Sequence, residues 1–160
     1  TIGADSRGSS GAFVFPNKMK KLHRKDGWLV ALAGADLYQE FCAGFPAFDR
    51  VEVFRDFLIE FVKQNGRTPI ADIGEPDAWN LSVVVGRRGE LFVITGNGSI
   101  WKPAWGFVAI GSGQDYAYGA ARVLVGQGVV HGMQIVNTAL EVACEFCTNC
   151  GGPLDVAVAE

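Results

Sequence analysis

Residues 111–113, Gly-Ser-Gly, are where residue type and spacing in this 160-residue sequence first suggest chemistry. They follow the apolar run Phe107, Val108, Ala109, Ile110 and precede Ala117, Ala120, Ala121 and Leu124 at helical spacing. That order predicts a buried strand, a glycine turn and a helix. Gly111 and Gly113 permit backbone angles that a Cβ resists. Ser112 can then stand at a helix N-terminus, where free N–H groups and the positive end of the dipole favour a developing negative charge. A plain strand-to-helix connection with Ser112 as the cap explains the same residues.

Other reactive side chains are few. The cysteines are Cys42, Cys144, Cys147 and Cys150, the last three crowded into CEFCTNC. A structural zinc site usually adds a second CxxC or a distant pair of histidines, and His23 and His131 have no ligand spacing to each other. Lys21 shares a strand face with Met19 and His23, inside the basic run Lys18, Lys20, Lys21, Arg24, Lys25. Read alone, it is a solvated lysine. Asp5 and Arg7, read alone, are a surface ion pair worth at most ~1 kcal/mol. Trp101 and Trp105 flank a proline loop and serve either burial or a binding surface.

The elements that must position these groups can be read from periodicity. Residues 1–7 alternate as a strand, Ile2 and Ala4 on one face and Asp5 and Arg7 on the other. Residues 8–11 form a turn, 12–15 a short strand, and 19–24 a further strand. Lys25-Asp26-Gly27 has hairpin-turn composition, leading into the buried strand WLVALAG. A helical region over 35–62 is divided near Pro46, and Phe54, Phe57, Leu58, Phe61 and Val62 form its apolar stripe. Residues 68–78 are loop. NLSVVVG and LFVIT then make a hairpin around RRGE, and a short strand spans 99–101. After the 107–119 stretch a helix covers about 132–147, and LDVAV is a closing strand. Grouped strands and grouped helices indicate an α+β layered protein with mostly antiparallel sheets.

Composition sets outer bounds. Apolar residues are 49% and charged residues 19%, which is a globular and not a disordered composition. Net charge is -3, which argues against nucleic acid as the main partner. No apolar run reaches the roughly 20 residues that span a bilayer. The opening TIGADSR is not a basic-then-apolar leader, so the expectation is a cytoplasmic protein without a membrane partner.

Four stretches, in order, resemble proteasome-type N-terminal-nucleophile (Ntn) peptidases. GADSR resembles their second strand and KLHR the strand bearing the active-site lysine, with Asp5 and Lys21 sixteen residues apart as in that pattern. LFVITGNG with FVAIGSGQDYAYGAARVL is similar to bacterial HslV-type subunits and their short phage-like relatives, and GGPLDV to the closing strand of those relatives. The resemblance covers essentially the whole chain. It implies a four-layer αββα sandwich, a single proteasome-like domain over residues 1–160, and a homo-oligomeric ring, hexameric or heptameric and single or double. It also implies threonine-type endopeptidase activity on polypeptide, with an ATPase unfoldase as a partner. The alternative function is a catalytically inactive structural subunit of the same fold.

The family chemistry gives each matched residue a role. A threonine hydroxyl attacks the peptide carbonyl, and its free α-amine, titrating near pH ~7.7–8.0, is the base. By the match Lys21 is the lysine that tunes that amine, Asp5 holds Lys21, and Ser112 is the serine beside the amine. The resemblance requires no cofactor. It implies a weak sodium or potassium site of backbone carbonyls at the positions matching Cys144, Cys147 and Cys150; in the segment matching Cys147 and Cys150 proteasome subunits usually carry an aspartate and a serine, and HslV-type subunits have a cysteine at the Cys147 position. Thr1 stands only four residues from Asp5, roughly 13 Å along an extended chain. The family nucleophile lies a dozen or more residues before the aspartate, so the expected first strand falls upstream of residue 1. Thr1 is the nucleophile only under a different N-terminal alignment.

Overall fold

A computed structural model describes residues 1–7, 9–10, 13–14, 20–34, 44–64 and 81–159. The expected helical segment over 35–43, the loop over 68–78, Met19 and Cys42 lie outside them.

The apolar runs build one antiparallel sheet of five strands in the order β4-β5-β6-β7-β8. These are β4 (Leu22–Lys25), β5 (Trp28–Gly34), β6 (Leu81–Arg87), β7 (Glu90–Ile94) and β8 (Ile100–Trp101). Two hairpins close on paired positive φ angles, Asp26 and Gly27 at 51° and 79°, Arg88 and Gly89 at 48° and 82°. Those angles match the twist of the flanking strands, which explains why both turns end in glycine. Leu22 therefore pairs with Ala31, and Val84 with Val93.

Alternation divides the sheet into two buried faces. Trp28, Val30, Leu32, Val83, Val85 and Ile94 pack against Phe54, Leu58 and Val62 of helix α1 (Val51–Gln64). Leu29, Ala31, Val84 and Val93 meet Ile2 and Ala4 of β1 (Ile2–Ala4) and Ala157 of β9 (Asp155–Ala157). Burial on both sides is why these strands read as continuous apolar runs. β1 and β9 pair antiparallel, Ile2 opposite Ala157.

Beyond β1 lie helices α2 (Gln114–Gly126) and α3 (Gly132–Phe146), joined through Ala117, Ala121, Ala139 and Ala143. Gly3 is required where β1 meets α3: a Cβ there would stand 2.6 Å from Val136 Cγ1 and 2.8 Å from Leu140 Cδ1.

Three local expectations are corrected. Ser9–Ser10 is a strand, β2, paired with β3 (Phe13–Val14), so these two residues of the expected 8–11 turn are extended. The strand beginning near Met19 starts at Leu22, and residues 44–48 are irregular. Residues 107–110 are half-buried and carry no strand pairing among the described residues. Their side chains still alternate as a strand's do, Val108 and Ile110 toward the sheet cluster, Phe107 and Ala109 toward the helices. Among the described residues no helix is long and apolar enough to cross a membrane.

Candidate active site

Asp5 leaves the end of β1 and Lys21 precedes β4, so the contact between these strands sets the two side chains face to face. Lys21 Nζ donates to Asp5 Oδ1 at 2.7 Å, with the side chains only 16% and 13% exposed. The Lys21 backbone is anchored too, its carbonyl accepting from Leu32 N at 3.2 Å.

The other carboxylate oxygen, Oδ2, accepts from Gly151 N at 2.9 Å and Arg7 N at 3.2 Å. Three donors thus fix the Asp5 carboxylate, and charge-assisted bonds of this kind are the strong ones. The sequence reading of Asp5 with Arg7 as a surface ion pair is corrected, because the guanidinium points elsewhere and donates to Thr148 O at 2.7 Å. Ser6 N donates to Gly151 O at 3.1 Å. The strand end and the 147–151 loop are therefore clasped at three points. Gly151, at φ 147°, lies under the Arg7 guanidinium, and a Cβ there would meet Nη2 at 2.6 Å. The sequence reading gave Arg7 no role beyond a surface charge and saw Gly151 only as part of the GGPLDV stretch, so the clasp between them is new from the structure.

Ser112 is exposed, between Gly111 at φ 93° and Gly113. It does not cap α2 as the sequence allowed. The cap position is Gly113, which makes no side-chain cap bond. Gln114 N turns back to Gly111 O at 3.1 Å, leaving the Ser112 hydroxyl uncommitted among the described contacts.

Asp5, Lys21, Ser112 and Thr1 all line one cavity of about 700 Å³, within the range of ligand-holding pockets. They are not brought together equally. Lys21 and Asp5 touch, and Ser112 shares their end of the cavity. Thr1 lies at the other end of β1, packed against Gly132 at the start of α3, where an added Cβ would come 2.6 Å from Thr1 Oγ1. Direct proton exchange needs about 3 Å, so Thr1 is not placed to work with Lys21.

The cysteine trio ends α3, with Cys147 as its C-cap. Burial first, then the Asp5 charge, raises the Cys144 thiol. Burial, a hydrogen bond with Cys147 and the Asp5 charge push Cys150 up to about 12. Protonated thiols make poor metal ligands, and among the described residues no group of three or more His, Cys, Asp or Glu could hold a metal ion. What the segment does offer is helix-terminal carbonyls, the donor type an alkali cation takes. One of them, Cys147 O, already accepts from Cys150 N at 3.0 Å.

No family model matches the sequence. Solved structures do. The chain is similar to the Thiobacillus denitrificans protein BPH, TM-score 0.77 at 19% identity over 96% of this chain and 88% of that one; the same protein is known in complex with epoxomicin. It is similar to eukaryotic HslV from Trypanosoma brucei, TM-score 0.66 at 22% identity over 96% and 88%. It is also similar to Anbu, the ancestral beta-subunit from Yersinia bercovieri, TM-score 0.62 at 18% identity over 96% and 74%. The chain has the proteasome-like Ntn fold.

Proposed function

We propose that this chain is a subunit of a proteasome-like, threonine-type peptidase, four-layered as αββα and assembled into a homo-oligomeric ring. The observation that carries this reading is the Lys21–Asp5 ion pair opening onto the cavity, its carboxylate locked by Gly151 and Arg7. The donors to Asp5 Oδ2 fix the carboxylate, and the carboxylate in turn fixes where the Lys21 ammonium stands, which is the preorganisation a tuning lysine requires.

In the proposed reaction the nucleophile is a threonine on a strand preceding residue 1. Its hydroxyl oxygen bonds to the peptide carbonyl carbon while its proton passes to the threonine's own α-amine. The amine returns that proton to the leaving nitrogen, and water then cleaves the ester and regenerates the hydroxyl. The Lys21 ammonium keeps the amine neutral at working pH, and the amides of Ser112 and Gly113, which make no other backbone bond among the described residues, serve the developing oxyanion. The carbonyls around Cys144, Cys147 and Cys150 would hold a sodium or potassium ion that stiffens the loop under Asp5. Exposed Val123, Val130, Tyr116 and Phe146 support subunit contacts.

The test uses the protein extended by a first strand beginning with a free threonine. Fluorogenic peptide hydrolysis and an epoxomicin adduct on that threonine are expected, and Lys21→Ala should abolish hydrolysis while leaving assembly intact. Hydrolysis by the 160-residue chain that Thr1→Ala removes would overturn the assignment. The second reading is an inactive structural subunit of the same fold. Assembly without turnover in the extended protein would establish it.

A further inference from the structure

We propose that Cys147 and Cys150 are a redox dithiol, which small-molecule disulfides oxidise to an intramolecular disulfide that staples the loop holding Asp5. The two cysteines stand at the ends of one tight turn, in which Cys150 N donates to Cys147 O at 3.0 Å. A turn of that kind brings its end Cα atoms within about 7 Å, and a disulfide bridges spans up to about the same limit. The two thiols are already hydrogen-bonded to each other. Oxidation therefore needs no change of fold.

Cys144 is the poorer partner. It lies one turn back on α3, and side chains three apart on a helix hold their Cβ atoms about 5–6 Å from each other. A disulfide needs about 4.5 Å or less. Access separates the remaining two. Both are half-buried, but Cys147 stands between exposed Phe146 and Thr148. The Cys150 Sγ is wedged against Gly113, where an added Cβ would come within 2.6 Å. Cys147 is thus the thiol that meets a bulky reagent first.

The chemistry is thiol–disulfide exchange. The Cys147 sulfur, giving its proton to solvent, bonds to one sulfur of the small disulfide, and the other leaves as a thiolate that takes up a proton. The Cys150 sulfur, likewise deprotonated by solvent, then bonds to the Cys147 sulfur and displaces the second small thiol. Two protein thiols are oxidised to one disulfide, and one small disulfide is reduced to two thiols.

The turn matters because it carries the clasp. Thr148 O accepts from the Arg7 guanidinium, Gly151 N donates to Asp5 Oδ2, and Gly151 O accepts from Ser6 N. These groups lie between the two cysteines or on the residue that follows them. A covalent link across the turn restricts its open states, so the bond from Gly151 to Asp5 breaks less often. That a firmer Asp5 changes turnover rests on the proposed function; the thiol chemistry does not.

The experiment equilibrates the 160-residue chain, carrying Cys42→Ser to keep a fourth thiol out of the exchange, with mixtures of reduced and oxidised glutathione. Chymotryptic cleavage after Phe146 separates Cys144 from the other two cysteines before mass analysis. Loss of two hydrogens confined to the fragment that begins at Cys147 is expected. The Gly151 amide should exchange about threefold or more slowly than in the reduced protein. Cys144→Ser should oxidise as its parent does, and Cys150→Ala should stop at a glutathione adduct on Cys147. A disulfide that includes Cys144, or adducts without ring closure when both thiols are present, overturns the dithiol. So does a folded chain that stays reduced under conditions that oxidise the urea-unfolded chain. Oxidation that leaves Gly151 exchange unchanged overturns the staple. None of these readouts needs turnover, so an inactive subunit would still carry the dithiol.

Discussion

Gly113 lies against Cys150 so closely that a Cβ added to Gly113 would stand 2.6 Å from the Cys150 Sγ and 3.0 Å from Ala143 Cβ. The start of α2 and the end of α3 are thus locked at the same end of the cavity as Asp5. Gly113→Ala should lower stability by about 1–3 kcal/mol, the usual cost of an overpacked core. Adding Cys150→Ala should recover part of that loss, since the two sites share the contact. Chemical denaturation of the two single variants and the double variant measures it.

The Asp5 carboxylate serves three donors and Lys21 only one carboxylate oxygen. Asp5→Ala leaves the Lys21 ammonium and two backbone N–H groups without their acceptor, so a loss of about 1–3 kcal/mol is expected. Lys21→Met should cost less, because Gly151 and Arg7 still hold the carboxylate. Equal losses in urea melts would contradict this account of the clasp.

His23 is buried on β4, with its Nε2 2.9 Å from Lys20 O. Burial, reinforced by the Lys20 charge, holds its pKa below 6.5 against the opposing backbone hydrogen bond and Asp155. The unfolded chain takes up this proton first as pH falls. The His23 contribution is therefore full above about pH 6.5 and is lost below it. Stability measured from pH 7.5 to 5 should decline, and His23→Gln should flatten the decline.

The thiols act at the other limb. Cys150 titrates near 12 when folded against 9.0 ordinarily, because burial disfavours the thiolate. A raised folded pKa gives a contribution fully present below pH 9 and lost as pH climbs toward 12. Stability should fall across that window, and Cys150→Ser should shrink the fall. At pH 8 Cys150 should alkylate with iodoacetamide far more slowly than a free thiol, and much faster after unfolding.

Phe54 is fully buried beneath the five-stranded sheet, edge-on to Phe45 at 5.5 Å and tilted on Phe48 at 4.7 Å between ring centroids. Phe54→Ala should cost about 3–5 kcal/mol. Thermal melts should show that loss.

The elements most legible in the sequence were those whose burial is complete. WLVALAG and the 81–87 run read as strands because both faces are covered, and the α1 stripe read as a helix because its spacing matches one turn. Asp-Gly and Arg-Gly announced their turns through the need for positive φ. Residues 107–110 read as a buried strand from their apolar run, but a strand also needs a ladder, and composition says nothing about partners. The pairing of Asp5 with Lys21 was reachable only through the family resemblance, since alone each looked like a solvated charge. The roles of Arg7 and Gly151 were not reachable, because their contacts join distant segments and end on the backbone of the 148–151 loop, which no side-chain pattern reports.

The β1–β9 ladder has a kinetic consequence. The β4–β5 and β6–β7 hairpins join neighbouring residues, whereas Ile2 meets Ala157 across almost the whole sequence. Pairings of long sequence separation pay their loop-closure entropy before any contact rewards it. The sheet core should form early on refolding and β1 should dock late. Because Asp5 meets Gly151 only once β1 has docked, the polar clasp around Lys21 is assembled at the end of folding, and it is the first part to come apart when the chain is strained.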